Sequence, residues 1–240
     1  EALTHFRPLA TQANDGLAQA RLGAIYAYGL GIEQDREEGI RWLRTAIDQD
    51  EASARIELAQ LLYTGPESFR DYPEALRILT VAAEERNNYT HEAEYRLGLM
   101  HGEGVAMPVD TAQVWYWLER AAADSFGRPH SGALHLLGYL HMQAGEYRQA
   151  AERAEGAARL GATESLVNLA LIFASPENEF QDLVESFKWL IIASARLEEG
   201  EQKEQVRGYM DELFAQLSAD EEAEGRERAR RWRAEHGFRQ

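Results

Sequence analysis

The chain repeats itself roughly every three dozen residues, and that period limits what it can fold into. Five acidic residues mark it: Asp35, Asp71, Asp110, Glu146 and Asp182, separated by 36, 39, 36 and 36 positions. Four residues beyond each acid stands Gly39, Ala75, Val114, Ala150 or Ser186. Seven beyond stands Trp42, Ile78, Trp117, Arg153 or Trp189, and eleven beyond there is always an alanine: Ala46, Ala82, Ala121, Ala157, Ala193. Such offsets fall on one side of an α-helix, because about 3.6 residues make a turn. An acid just ahead of the stripe suits a helix start, where it can accept free backbone N–H groups and oppose the positive end of the helix dipole.

A second register runs upstream. The pairs Leu22-Gly23, Leu58-Ala59, Leu97-Gly98, Leu137-Gly138 and Leu169-Ala170 are each followed by a bulky residue: Tyr26, Leu62, His101, His141 or Phe173. A small residue in mid-helix lets a neighbouring helix approach closely. The spacing therefore predicts two helices per repeat, the first carrying the small residue and the second starting after the acid. Between them lie Gly29-Leu30-Gly31-Ile32 in the first repeat and Gly102-Glu103-Gly104-Val105 in the third, read as glycine turns. The second and fifth repeats use Gly65-Pro66 and Pro176, and the fourth is shorter, with Gly145-Glu146-Tyr147. A hairpin with this pattern cannot bury its apolar face alone, and stacking against the next hairpin covers it.

Written as L-G-x-x-Y-x-x-G-x-G-V followed by D-x-x-x-A-x-x-W-x-x-x-A-A, the pattern resembles the Sel-one-like repeat of the tetratricopeptide-like superfamily. Leu22, Gly23, Tyr26, Gly29, Gly31, Asp35, Trp42 and Ala46 carry the fullest match, and the fourth repeat (Gly138, Gly145, Tyr147, Ala150, Ala157) resembles a plain tetratricopeptide. The resemblance implies an all-α, right-handed α/α superhelical solenoid of helix-turn-helix repeats. Residues 1–16 read as the second helix of an incomplete repeat, because Phe6 and Ala10 stand 36 before Trp42 and Ala46. Residues 17–197 hold five repeats, and 198–240 read as capping helices. Within the last part, Val206, Met210, Leu213, Phe214 and Leu217 form an apolar stripe, and Ser218 with Glu221 fits a capping box.

Sel-one-like proteins act as adaptors, so the resemblance implies a scaffold that binds a protein or peptide partner on its concave surface, in a bacterial envelope or signalling assembly. A secreted module acting on host proteins is an alternative. A relative that binds or hydrolyses β-lactams is another, although those relatives carry paired cysteines and this chain has none. Carrying over the ligand-facing positions of tetratricopeptide first helices selects Tyr28, Gln60, Tyr63, Glu92, Tyr95, His135, Tyr139, Met142 and Gln143. Tyrosine recurs there, a residue that brings contact area and a hydroxyl at low entropy cost. Packing of the same tyrosines between helices is the competing reading. Trp42, Trp117 and Trp189 are in register and read as core, whereas Trp115 and Trp232 are out of register; Trp115 is a possible contact on a flank.

Charge narrows the partners. The chain has 41 acidic and 25 basic residues, a formal net charge of −16. That balance disfavours nucleic acid and anionic membrane as direct partners, and no nucleic-acid partner is expected, since phosphate binding needs a basic surface. The excess serves either solubility or a basic partner segment. No apolar run reaches the ~20 residues that span a bilayer, so membrane association would be peripheral, through a partner or a removed lipid anchor. The absence of cysteine suits the periplasm or cell envelope, with the cytoplasm as the alternative, and a chain beginning at Glu1 reads as processed or trimmed.

No chemistry-bearing motif emerges. Seven histidines occur, at 5, 91, 101, 130, 135, 141 and 236, none in the i, i+4 spacing of a helical zinc site, and His101 and His141 occupy the bulky packing slot. There is no G-x-S-x-G elbow and no phosphate loop. No enzyme activity, cofactor or metal is expected.

Overall fold

The structure is a computed structural model that describes residues 2–104, 108–124 and 128–237. These residues form thirteen α-helices and one 3-10 turn, Glu67–Phe69, with no strand among them. The fold is an all-α helical repeat solenoid. It divides into two compact units, Glu1–Arg128 and Pro129–Gln240. The first unit holds α1 (Ala2–Thr11), α2 (Gly16–Tyr28), α3 (Arg36–Ile47), α4 (Ala52–Thr64), α5 (Tyr72–Glu84), α6 (Thr90–Glu103) and α7 (Thr111–Ala122). The second holds α8 (Ser131–Gln143), α9 (Tyr147–Arg159), α10 (Glu164–Ala174), α11 (Leu183–Arg196), α12 (Glu201–Phe214) and α13 (Ala219–Glu235).

Each acid that sets the period stands immediately before a second helix. Four of them cap it: the carboxylates of Asp35, Asp71 and Asp182 accept from the backbone N–H of Glu38, Glu74 and Glu185, each at 2.9 Å, and Asp110 accepts from Gln113 at 3.1 Å. Glu146 does not cap, against the sequence expectation. Its side chain is one methylene longer, and its carboxylate instead meets His141 Nδ1 at 2.6 Å.

The two sequence registers are joined by one backbone bond that recurs in every repeat. The N–H of the acid donates to the carbonyl of the bulky first-helix residue: Asp35 to Tyr26, Asp71 to Leu62, Asp110 to His101, Glu146 to His141 and Asp182 to Phe173, over 2.8–3.2 Å. The turn that this bond closes needs a left-handed residue in three repeats, supplied by Gly29 (φ +69°), Gly104 (φ +65°) and Gly145 (φ +74°). Gly65 departs from that reading, with φ −64° and ψ 171°, because Pro66 drives the preceding residue into extended backbone. Gly102 is likewise no turn residue: α6 runs through it and stops at Gly104. Val105 lies outside the described residues.

Small residues set how close the paired helices come. A Cβ on Gly23 would lie 2.7 Å from Leu43 Cγ, and one on Gly39 would lie 2.7 Å from both the backbone nitrogen and Cβ of Ala27. In the third repeat Gly98 is pressed by Leu118, and in the fourth Gly138 faces the backbone of Ala150 and Ala154. Above these contacts the stripe positions fill the interior. Leu43, Leu58, Ala75, Leu79, Leu97 and Ala121 are buried in the first unit, as are Leu166, Phe187, Trp189 and Ala193 in the second. Each large aliphatic or aromatic side chain taken from water contributes roughly 1.5–3 kcal/mol.

Two tryptophans depart from their sequence readings. Trp117 and Trp189 are buried as their register requires, but Trp42 is only half-buried. It packs on the small cluster of Ala10, Ala18 and Leu22, and its Nε1–H donates to Glu38 at 2.7 Å. Trp232, out of register, is buried, with its ring 5.1 Å from that of Trp189. It belongs to α13, which lies against α11; Gly225 admits Phe187, and Arg228 bonds both Asp182 and Glu185. The capping box of Ser218 and Glu221 forms at the start of α13. Val206 and Leu213 of α12 are buried, while Met210, Phe214 and Leu217 are partly so.

Candidate interaction surface

The first helices of the N-terminal unit bury more of their circumference than the second helices do. In α2, seven residues from Ala18 to Ala27 are buried; in α3, only Gly39, Leu43 and Ala46. What the first helices leave open is a narrow strip. On α2 this strip holds Arg21, Ala24 and Tyr28; on α4, Glu57, Gln60, Tyr63 and Thr64; on α6, Glu92, Arg96, Leu99 and Glu103. Its members meet across helices. Tyr28 Oη–H donates to Glu57 Oε2 at 3.2 Å, and Tyr63 Oη–H donates to Glu103 Oε2. Arg96 Nε–H donates to Glu92 on its own helix.

Burial and the Glu57 carboxylate push the Tyr28 hydroxyl up to about 12, with the Arg96 guanidinium pulling the other way. Glu57 of α4 and Arg96 of α6 thus both act on the hydroxyl of Tyr28 on α2. Burial, followed by the Glu103 bond, also raises Tyr63. Both hydroxyls remain protonated donors at neutral pH.

Between α4 and α6 the strip opens into a cleft of about 170 Å³. Ala59, Leu79 and Met100, all nearly fully buried, form its floor. Gln60, Tyr63, Thr64, Arg96, Leu99 and Glu103 form its rim. An apolar floor under a polar rim is the form a small recognition site takes. A larger recess, about 370 Å³, lies between α3 and α5. The three arginines around it have acidic partners: Arg44 and Arg77 share Glu74, at 2.9 Å and 3.9 Å, and Arg55 meets Asp50 at 3.2 Å and Glu85 at 3.1 Å.

The residues selected from the sequence thus divide. Gln60 and Tyr63 line the cleft, Tyr28 is exposed beside it, and Glu92 and Tyr95 are half-buried on α6. In the second unit Tyr139 and Gln143 are exposed on α8. His135 is half-buried with Nδ1 2.9 Å from Ser165 Oγ, and burial holds its imidazole below the usual value. Met142 packs on the core of that unit. Trp115 is half-buried. Elsewhere on the same first helices the chain turns inward: Ala20 and Ala27 of α2 and Ser53 and Ile56 of α4 are all buried. Glu57, Arg96 and the bond of Glu103 were not selected from the sequence. Glu57, Gln60 and Thr64 do share helical spacing, and Glu92 with Arg96 is a readable i, i+4 ion pair.

The most buried ionic cluster, His91, Glu94 and Arg120, is consumed in packing. Glu94 takes Arg120 Nε–H at 2.8 Å and sits 2.9 Å from His91 Nδ1, while Arg120 also reaches Glu84, Tyr116 Oη and the carbonyl of Ala83. Among the described residues no group of three or more His, Cys, Asp or Glu side chains could hold a metal ion, and no helix is long and apolar enough to cross a membrane.

Stacked helix hairpins with an open first-helix strip define an all-α helical repeat protein. The Sel1 repeat model matches residues 16–51, 52–87, 91–125 and 163–196, more than half of the sequence, and the chain belongs to this family. The repeat is typical of protein–protein interaction scaffolds, and the family is generally non-enzymatic. A Sel1 repeat protein from Oxalobacter formigenes superposes with a TM-score of 0.69 at 24% identity, covering 82% of this chain and 80% of that one. The c5321 protein, a protective antigen of uropathogenic Escherichia coli strains displaying an SLR fold, gives a TM-score of 0.63 at 17% identity over 96% of this chain and 56% of its own. At these identities the likeness concerns the fold. Chitin synthase regulatory factor 3 of Schizosaccharomyces pombe is 29% identical over 118 residues, 45% of this chain. The chain spans only 12% of that protein's length.

Proposed function

We infer that this protein is an interaction scaffold that takes an extended segment of a partner protein across the first-helix strip of its N-terminal unit. The observation that carries this reading is the cleft between α4 and α6, an apolar floor of Ala59, Leu79 and Met100 under a rim of hydrogen-bonding side chains. Such a cleft accepts one apolar side chain, while Gln60, Tyr63 and Arg96 are placed to meet polar groups beside it. The tyrosines keep Glu57 and Glu103 in fixed positions, which lowers the ordering cost of binding. Tyr139 and Gln143 of α8 provide a second exposed patch in the other unit.

Photocrosslinking tests the reading. With benzoylphenylalanine replacing Leu99, a discrete adduct with a partner protein is expected, and it should vanish when Tyr63→Ala is added. The same probe replacing Thr80, exposed on α5, should give none. Equal adducts from both positions, or indifference to Tyr63→Ala, would refute docking at this strip.

The compartment belongs to the same reading. The cysteine-free sequence supports an envelope or periplasmic assembly, where thiols would be exposed to oxidation. Fractionation of the protein expressed in its native cell tests this: recovery with cytoplasmic markers would place the assembly there instead.

A further inference from the structure

The strip on α2, α4 and α6 carries more information than the presence of a cleft, because its charges are not balanced. Glu57 gives Oε2 to Tyr28, and Glu103 gives Oε2 to Tyr63, each from a neighbouring first helix. The other carboxylate oxygen of each has no hydrogen bond or ion pair among the described residues. Neither acid has a basic partner among them. Arg96 is the cation on the cleft rim, and Glu92 on the same helix compensates its charge. The two terminal nitrogens of Arg96 have no bond of their own among the described residues, so they can still donate to neutral oxygens such as peptide carbonyls. Arg21, exposed two turns before Tyr28 on α2, is the other cation of the strip.

We propose that the occupant of this strip, within the docking reading above on which this rests, is an extended peptide with an apolar side chain seated in the cleft and flanking arginine or lysine residues paired with Glu57 and Glu103. Charge complementarity selects this occupant. An acidic segment would meet two carboxylates that no described residue pairs with a cation, beside an Arg96 already paired with Glu92, on a chain of net charge −16, and like charges brought together at an interface oppose binding. A purely apolar segment would leave both free carboxylate oxygens losing water without gaining a partner, which costs affinity. A basic side chain supplies donors to both. The tyrosine hydroxyls hold each carboxylate at a set position, so the flanking charges are read at defined distances from the cleft and not merely attracted in general.

Three pools of synthetic peptides test the proposal by fluorescence anisotropy with the intact protein. All carry a central leucine, flanked by arginine, serine or glutamate. The arginine pool should bind about tenfold tighter than the serine pool, with the glutamate pool weakest, since two exposed ion pairs together account for roughly that factor. Added salt should shrink the advantage. Glu57→Gln and Glu103→Gln are surface changes that keep side-chain size, and circular dichroism verifies that each variant is folded. Each should remove about a threefold share, and the double variant should bind the arginine and serine pools alike. Glu103→Lys should turn the preference towards the glutamate pool. A glutamate pool that binds tightest, or an arginine preference undiminished in the double variant, would overturn the proposal. If all pools bind equally and Tyr63→Ala weakens them all, the charge rule fails while docking at the cleft survives; if no pool binds, both fail.

Discussion

The first and fourth repeats build the same hairpin from opposite materials. In the first, α2 and α3 meet through two glycines, Gly23 under Leu43 and Gly39 against the backbone of Ala27. In the fourth, Gly138 makes the close approach to the backbone of α9, Gly156 of α9 meets only the Leu134 side chain, and α9 presents Ala150, Ala154, Ala157 and Ala158 as a smooth face. Asp35 caps α3, whereas Glu146 caps nothing and turns to His141. The Sel1 model matches the first repeat and passes over the fourth. The comparison teaches that the close approach is the requirement of the fold, and that the motif is one of several ways to meet it. The backbone bond from the acid to the bulky first-helix residue is present in both.

The largest expected contrast lies in the glycines. Gly39→Ala places a methyl 2.7 Å from the backbone of Ala27 and should cost about 2 kcal/mol in urea unfolding, the usual scale of overpacking. Gly156→Ala in α9 meets only Leu134 at 3.5 Å, ordinary contact, and should gain up to about 1 kcal/mol from helix propensity. Equal losses at the two sites would break the comparison. A middling contrast lies in the caps. Asp35→Ala should lose about 1 kcal/mol, while Glu146→Asp, which brings the carboxylate within reach of the third amide, should gain about 0.5 kcal/mol. Thermal melts of the two variants decide it, and a stabilised Asp35→Ala would show that the cap contributes nothing.

The smallest contrast is in pH dependence. Three residues before the small residue, the first repeat has buried Ala20, which cannot titrate, and the fourth has His135. Burial lowers His135, with Glu164 opposing, so the folded state favours the neutral ring. The unfolded chain binds the proton more readily. His135 therefore contributes its full share above the ordinary imidazole value of about 6.5, and that share is lost as pH falls through this value towards the folded one. His135→Gln should flatten this limb of the stability curve without altering it above neutrality. An unchanged limb would remove His135 as its source.

Much of the fold could be read from spacing, because helix starts and small contact residues recur at fixed offsets. Asp35, Asp71, Asp110 and Asp182 act where the period placed them, and Ser218 with Glu221 forms its box. The surface was harder to read for a physical reason. Contacts between neighbouring repeats depend on how far one hairpin slides along the next. Tyr28 reaches a glutamate 29 residues on, and Tyr63 one 40 residues on. Neither equals the period, so no sequence offset announces them. Trp232 falls in the same class: its partner Trp189 belongs to a helix two elements earlier.

Arg228 carries one further consequence. Its guanidinium bonds Asp182 at 2.9 Å and Glu185 at 3.1 Å, and Asp182 is itself the residue that caps α11, accepting from the backbone N–H of Glu185. The last helix therefore cannot peel away without loosening the start of a helix more than forty residues upstream. In native-state hydrogen exchange, the first turn of α11 and the middle of α13 should report a single shared opening, so the two helices loosen as one cooperative block and not residue by residue.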